Sequence, residues 1–145
     1  MSQENVDLVV RTIRSPELNW AEISRDDEMY AAHLELVASA FHSDVTFANH
    51  GFPAGEQTCV GLAGVRSLFR DWHKPWATYR TEVERAVDCG ERVLVLTRDF
   101  GVLWGTTKEI TLNLGGVYTI RDGKIASWDI YLDRAEALEA VGLEE

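Results

Sequence analysis

The amino-acid sequence predicts an α+β fold in which an antiparallel sheet follows a group of helices. Hydrophobic residues recur at helical spacing through most of the first half of the 145-residue chain, whereas a spacing of two dominates residues 77–131. The dipeptide Asp122-Gly123 between two alternating segments is a strong signal for a tight hairpin. Helices followed by hairpin-connected strands favour an α+β architecture, and the length indicates one domain over residues 1–145.

Three helices are predicted before the long strands, and each places its large apolar side chains along one stripe. Their ranges are 3–14, 27–41 and 62–73. Pro16 and Pro75 end the first and the third of these helices, because proline cannot continue a helix. A further helix is predicted to begin at Asp133, whose spacing to Glu136 resembles a capping box.

Five strands are predicted, of which the first is short and is followed by a loop rich in Gly and Pro at 51–55. Their ranges are 45–49, 77–88, 91–104, 108–121 and 124–131. Strand side chains alternate between the two faces of a sheet. In the segment 77–88 we therefore expect the apolar odd positions Tyr79, Val83 and Val87 to share one face.

Charge and composition exclude several classes of partner. The formal net charge of −10 disfavours binding to nucleic acids and to anionic membranes. Residues 1–14 lack a basic region followed by an apolar stretch, and no apolar run has membrane-spanning length. We therefore expect a cytoplasmic protein without a nucleic-acid or membrane partner, in which Cys59 and Cys89 are free thiols.

The histidines do not form a metal-binding pattern. No two of them have a metal-ligand spacing that is supported by a carboxylate, so no metal site is predicted. His33 and His42 are assigned no role. His73 is expected to lie outside the helical stripe that faces a pocket.

The segment 94–104, LVLTRDFGVLW, contains an Arg-Asp pair within an otherwise mostly apolar run. Because strand side chains alternate, Arg98 and Asp99 point to opposite faces. Both faces of this run are apolar, so one charge of the pair faces a protected space, where it needs a partner or a function. The residue pattern alone leaves open which of the two charges this is.

Four motifs resemble the SnoaL-like branch of the nuclear transport factor two-like superfamily. They are DWHKPW at 71–76, DCGERVLVL at 88–96, YTIRDGKI at 118–125 and YLDRAEAL at 131–138. The resemblance covers about residues 1–142 and implies a cone-shaped barrel, in which a strongly bent antiparallel sheet wraps around helices and encloses a pocket. The superfamily includes isomerases, polyketide cyclases, epoxide hydrolases and proteins without catalysis, so the resemblance implies the fold more sharply than the activity.

Residues 44–50 and 92–142 are also similar to limonene-epoxide hydrolases, which activate water with an Arg-Asp-Asp relay helped by a Tyr and an Asn. The base Asp of that family corresponds to Asp99 and its Asn to Asn49. The positions of its Tyr, Arg and second Asp are held by Phe47, Thr97 and Ile130. The resemblance therefore implies that Asp99 faces the pocket and Arg98 faces away, and that the full relay is absent.

Three residues are candidates for catalysis. Asp99 is the first, because apolar surroundings raise the pKa of a carboxyl group towards neutrality; its alternative role is an ion pair with an arginine or a loop cap. Asn49 is a candidate for orienting a water molecule or a carbonyl group, and a backbone hydrogen bond at the loop entry is its alternative. His50 is a candidate proton shuttle, with simple exposure in the loop as the alternative.

An apolar pocket is expected around these groups. Its expected lining residues are Phe47, Phe69, Trp72, Trp76, Thr97, Leu112, Leu114, Tyr118, Trp128 and Ile130. For any one aromatic residue, an ordinary core position is the alternative. The resemblance implies a cofactor-free enzyme that uses acid/base chemistry on a small apolar molecule, by isomerisation, cyclisation or epoxide hydrolysis, and a non-catalytic ligand-binding or interaction module is the alternative.

A homodimer is expected through the outer face of the strand 91–104. This face carries Leu94, Leu96 and Phe100 beside Arg98. An exposed apolar patch of this kind is typical of a protein interface. A surface ion pair is the alternative role for Arg98.

Overall fold

The computed structural model describes residues 2–52, 55 and 57–143, which form helices and a single six-stranded sheet. The α-helices are α1 (Ser2–Ile13), α2 (Trp20–Arg25), α3 (Asp27–Val37), α4 (Gly61–His73) and α5 (Arg134–Ala140). The strands are β1 (Phe41–His50), β2 (Gln57–Val60), β3 (Trp76–Cys89), β4 (Arg92–Leu103), β5 (Glu109–Arg121) and β6 (Lys124–Tyr131). In this part of the chain, no helix combines the length and apolarity needed to cross a membrane.

Two short elements, α2 and β2, have no counterpart in the sequence prediction. Helix α2 has six residues, too few for a periodic pattern, and the Asn19 side chain caps it by accepting hydrogen bonds from its first backbone N–H groups. Strand β2 pairs antiparallel with the end of β1. Pro53 and Ala54 of the predicted loop 51–55 lie outside the described residues.

Helix α3 is shorter than the predicted range 27–41. It ends at Val37, a 3₁₀ turn covers Ala38–Ala40, and Phe41 already begins β1. Phe41 is buried in its strand position, as the last residue of a helical stripe would be. Its hydrophobicity therefore extended the apparent helical pattern beyond the true end of the helix.

The strands are ordered β2-β1-β6-β5-β4-β3 in a curved sheet packed with helices, which confirms the predicted α+β fold class. Neighbouring strands run antiparallel except β1 and β6, which run parallel. The sheet is open rather than a closed barrel. The parallel pair arises because β1 precedes α4 and the β3–β5 meander, so the chain joins it to β6 through a long crossover instead of a hairpin.

A β-bulge at Glu84 reverses which face of the sheet the later side chains of β3 point to. Val83 pairs with Thr97 whereas Arg85 pairs with the next residue of β4, Leu96, so Glu84 is an extra residue. After the bulge the alternation is inverted. The expectation that Val87 shares a face with Tyr79 is therefore wrong, and Val87 packs on the outer face of the sheet.

The two faces of the sheet are covered differently. The inner face packs against α1, α2 and α4 and contains two core clusters, one largely aliphatic and one largely aromatic. The outer face is covered by α5, where Ala137 and Leu138 pack on Leu94 and Leu96. These two leucines are buried within one chain, so they do not form the free apolar face on which the expected dimer interface was based.

Candidate active site

A cavity of about 180 Å³ lies between the inner face of the sheet and the helices. Most of its lining is apolar or aromatic, which is the usual character of a small-molecule site. Ten of the residues expected from the sequence contribute to it: Phe47, Asn49, Phe69, Trp72, Thr97, Asp99, Leu114, Tyr118, Trp128 and Ile130. They include all five positions compared with limonene-epoxide hydrolases.

Asp99 is the acidic residue of this cavity lining. It is only 5% exposed, its Oδ2 accepts a hydrogen bond from the Tyr79 hydroxyl at 2.5 Å, and its Oδ1 has no hydrogen-bond partner among the described residues. Burial raises the pKa of Asp99 from 3.8 to about 6, although the hydroxyls of Tyr79, Thr97 and Thr81 and the more distant Arg134 oppose this rise. The carboxyl group can therefore take or release a proton near neutral pH.

Strand alternation explains why Asp99 points inward. On β4, Thr97 and Asp99 reach the cavity, whereas Arg98 is exposed on the outer face and lies 3.2 Å from the carboxylate of Glu84. The same carboxylate is 3.0 Å from Arg134, at the bulge of β3. Among the alternatives left open by the Arg-Asp pattern, the surface ion pair therefore belongs to Arg98, and Asp99 faces the protected space.

Tyr79 is a site residue that sequence reasoning missed. It is 2% exposed, and burial followed by the charge of Asp99 raises its pKa well above 10, so it keeps its proton and donates it in the hydrogen bond. Its backbone N–H donates to the Asn19 side chain at 3.0 Å, which ties β3 to the cap of α2. The sequence signal for Tyr79 was its place on the apolar face of β3. In the β3–β4 pairing Tyr79 lies opposite Gly101, so its side chain is diagonal to that of Asp99.

His73 also belongs to the cavity lining, so the expectation that it lies outside is wrong. Its Nδ1 donates to the carbonyl oxygen of Phe69 at 2.7 Å, which leaves the lone pair on Nε2. Burial lowers its pKa to about 4, opposed by the Phe69 carbonyl and assisted by Arg25. The sequence signal was the spacing of four from Phe69, which places both side chains on one face of α4.

His33, which was assigned no role, lines the same cavity from α3. Its Nδ1 accepts a hydrogen bond from the Arg14 guanidinium at 3.1 Å. Burial, and then the charge of Arg14, lower its pKa to about 4. Both cavity histidines are therefore neutral at neutral pH.

Asn49 lines the cavity, but its carbonyl oxygen is already engaged. The Asn49 Oδ1 accepts the backbone N–H of Gln57 at 2.7 Å, where β2 begins. The alternative role considered for Asn49 was a hydrogen bond to its own backbone before Gly51, whereas this bond reaches the backbone of β2. The side-chain NH₂ group remains as the part that can serve a ligand.

Three expected site residues do not line the cavity. His50 follows Asn49 on β1 and therefore points to the other face, where its Nε2 lies 2.9 Å from Asp129 Oδ1 and its ring stacks on Tyr131. Trp76 is buried behind Tyr79, over Gly101. Leu112 packs in the same aromatic cluster beyond the end of the cavity.

Tyr118 and Trp128 form a stacked pair in the cavity wall, with ring centroids 5.4 Å apart. The Tyr118 ring lies over Gly116, where a Cβ atom would come within 3.1 Å of it. Burial and then the charge of Asp99 raise the pKa of Tyr118, so its hydroxyl also stays protonated. A second phenol group in the cavity wall is thus close enough to Asp99 to interact with its charge.

No group of three His, Cys, Asp or Glu side chains in the described part of the chain is arranged to hold a metal ion. Among the described lining residues, the polar groups are a carboxyl group, phenols, hydroxyls, an amide, neutral imidazoles and indole N–H groups. These groups are suited to proton transfer and to hydrogen bonding with an uncharged ligand.

Comparison with protein families gives a match to the model described as SnoaL-like domain, over residues 27–128. The chain belongs to the SnoaL-like family. A comparison with curated proteins finds no significant match. The matched range contains β1 to β5, α3, α4 and most of β6, and so includes Asp99 and Tyr79.

Solved structures of the same fold confirm the architecture. A putative SnoaL-like polyketide cyclase from Jannaschia sp. CCS1 is 14% identical with a TM-score of 0.70, covering 99% of this chain and 95% of that one. TerC co-crystallised with polyporic acid is 20% identical with a TM-score of 0.67, covering 95% and 98%. An LEH-like epoxide hydrolase from M. tuberculosis is 17% identical with a TM-score of 0.60, covering 97% and 90%. At these identities the likeness concerns the fold alone.

Proposed function

We propose that the protein is a small-molecule enzyme that uses Asp99 for acid/base chemistry on an apolar substrate held in the cavity, without a metal or organic cofactor. The observation that carries this proposal is a buried carboxyl group in an apolar cavity, with one oxygen held by Tyr79 and the other facing the Thr97 and Thr81 hydroxyls without a well-formed hydrogen bond from any described residue. A pKa of about 6 makes both protonation states accessible near neutrality, as a group that takes and returns a proton requires.

The proposed reaction is a proton transfer at a carbon atom next to a carbonyl group, which underlies both isomerisation and aldol cyclisation. Asp99 takes the proton, and a hydrogen bond from the Tyr118 hydroxyl or the Asn49 amide stabilises the negative charge that develops on the carbonyl oxygen. Tyr79 keeps the carboxyl group oriented. Epoxide opening through the Arg-Asp-Asp relay receives less support, because Thr97 and Ile130 stand at two of the relay positions.

The alternative function is a non-catalytic module that binds a small ligand. It is favoured by the engagement of the Asn49 carbonyl oxygen with Gln57, which removes one group that would orient a water molecule. The two functions share the cavity and differ in whether Asp99 turns over a substrate.

The test is a panel of cyclic enones, polyketide esters and epoxides incubated with wild type, Asp99→Asn and Asp71→Asn. Asp71 is an exposed aspartate on α4, so its variant controls for the loss of one negative charge. We expect turnover of an enone or ester that falls at least about a hundredfold in Asp99→Asn only, in the range of general acid/base contributions. Equal turnover by the three proteins would reject the acid/base role of Asp99. Binding of a compound without turnover would favour the non-catalytic ligand-binding module.

We also propose a cytoplasmic location and a homodimer. Since α5 covers Leu94 and Leu96, the dimer has to use a surface other than this part of the outer face. Light scattering at micromolar concentration tests the dimer, and a monomer mass would exclude it.

A further inference from the structure

The size of the cavity restricts what it can hold. An apolar protein cavity of about 150 Å³ accepts benzene. At about 180 Å³, the present cavity can enclose one ring with a small substituent, and several fused rings would have to extend out of its open side. Its walls are braced by aromatic contacts, for example Phe47 edge-on to Trp128 at 4.9 Å and Trp20 edge-on to Phe69 at 5.6 Å, so enlarging it requires several rings to move together.

The charge of the cavity lining restricts the ligand further. The lining formed by the described residues contains no lysine or arginine, and both of its histidines are neutral at neutral pH. The arginines that act on lining residues are already engaged. Arg14 pairs with His33, and Arg25 binds backbone carbonyl groups of β3. Arg66 binds Asp27, and Arg134 binds Glu84. A carboxylate or phosphate group in the cavity would therefore be buried beside Asp99 without a cation to balance it.

We propose that the ligand is a compact carbonyl compound, with one ring or an open chain of similar bulk, that carries no negatively charged group. This inference rests on the proposed function for the carbonyl group, and on the cavity volume and lining for the size and the charge. It excludes phosphorylated compounds and free carboxylic acids in their ionised form, and it predicts weaker binding of substrates with two or more fused rings than of one-ring compounds.

The charge is tested with two compounds that differ in little else, 1-acetylcyclohexene and cyclohexene-1-carboxylate. Their binding at pH 8 is followed by tryptophan fluorescence, because Trp20, Trp72 and Trp128 line the cavity. We expect the ketone to bind at least tenfold more tightly than the carboxylate in wild type. In Asp99→Asn the affinity for the carboxylate should rise while that for the ketone changes little. Equal binding of the two compounds by wild type, or no binding of the ketone at millimolar concentration, overturns the proposal.

The size is tested with a two-ring enone of the octalone type and with a four-ring steroid enone. Wild type should bind each of them at least tenfold more weakly than 1-acetylcyclohexene. Ile130→Ala enlarges the cavity and should gain affinity for the two-ring enone, with Ile130→Val as a milder variant if the alanine form does not fold. Ile110→Ala is the control, because it removes the same side-chain atoms at a residue outside the cavity lining. Its affinity for the two-ring enone should not increase. A steroid that binds wild type as tightly as the one-ring ketone overturns the size limit.

Failure of this inference is distinguishable from failure of the proposed function. Selective binding of the one-ring ketone without any turnover supports the ligand class and rejects the enzyme. Turnover of an ionised carboxylic acid that depends on Asp99 supports the enzyme and overturns the ligand class.

Discussion

Asp99 is stabilising at low pH and destabilising at neutral pH, because its surroundings favour the protonated form. Its pKa is raised from 3.8 to about 6 in the folded protein, so the folded state binds a proton more tightly than the unfolded state does. The free energy of unfolding therefore falls as pH rises from about 4 to about 6. A shift of about two units corresponds to about 3 kcal/mol at most, and the native hydrogen bond from Tyr79 is already included in it.

Asp99→Asn removes this pH dependence while keeping the shape and one acceptor for Tyr79. As pH rises from 4 to 7.5, the free energy of unfolding of the variant should increase relative to that of wild type by about 1–3 kcal/mol. At pH 7.5 the variant should be at least as stable as wild type. Thermal melts of both proteins at the two pH values measure this difference. With Asp71→Asn as control, a drop in melting temperature for Asp99→Asn at pH 7.5 that exceeds the drop at pH 4 would show that Asp99 is a structural residue.

Helix α2 positions strand β3, which carries Tyr79. Asn19 accepts two hydrogen bonds from α2 and a third from the backbone of Tyr79, and Arg25 at the other end of α2 binds the carbonyl oxygens of Trp76 and Ala77. The short helix thereby fixes the start of β3. The hydroxyl of Tyr79 reaches Asp99 from this fixed segment.

Asn19→Ala should therefore lower the free energy of unfolding by more than the loss of a helix cap alone would. We expect a decrease of about 2–4 kcal/mol in the free energy of unfolding, because the variant loses the cap and leaves the buried N–H of Tyr79 without its acceptor. Asp26→Ala is the matched control, since Asp26 caps α3 through two backbone N–H groups, and it should cost about 1 kcal/mol. Equal losses in urea denaturation would contradict a positioning role for Asn19.

Helix α5 approaches the outer face of the sheet at a glycine. A Cβ atom at Gly115 would lie 2.5 Å from the Cβ of Ala137, so the helix cannot stay in place if this residue gains a side chain. We expect Gly115→Ala to destabilise the protein by about 1–3 kcal/mol. Adding Ala137→Gly should recover part of the loss, and a double mutant whose stability equals the sum of the single effects would argue against this contact.

The long elements of the fold were predictable and the short ones were not. Strands β3 to β6 carry enough alternating residues to be located from the sequence, whereas α2 has only six residues and the bulge at Glu84 leaves no mark in the hydrophobic pattern. The bulge moved Val87 to the outer face. The Arg98-Asp99 pair stood out because charges in an apolar strand are rare, but only the resemblance to limonene-epoxide hydrolases indicated that Asp99 is the one that faces inward. Tyr79 and His73 are ordinary core residues by sequence, and only the three-dimensional packing brings them to the cavity.

At the scale of the whole molecule, the sheet separates a face that lines the cavity from a face that packs against α5. Its inner face lines the cavity with Asp99, and its outer face is closed by α5 of the same chain. Proteins with this fold differ in activity, so the function has to be read from the cavity lining. In this lining, Asp99 is expected to exchange a proton near neutral pH.

The most direct test of this claim is an NMR titration of the Asp99 carboxyl carbon in protein labelled at aspartate, with Asp99→Asn used to assign the signal. Wild type should titrate with a pKa of about 6. In Tyr79→Phe the pKa should be higher, because the hydrogen bond from Tyr79 stabilises the ionised form. A wild-type pKa at or below 4 would contradict the account.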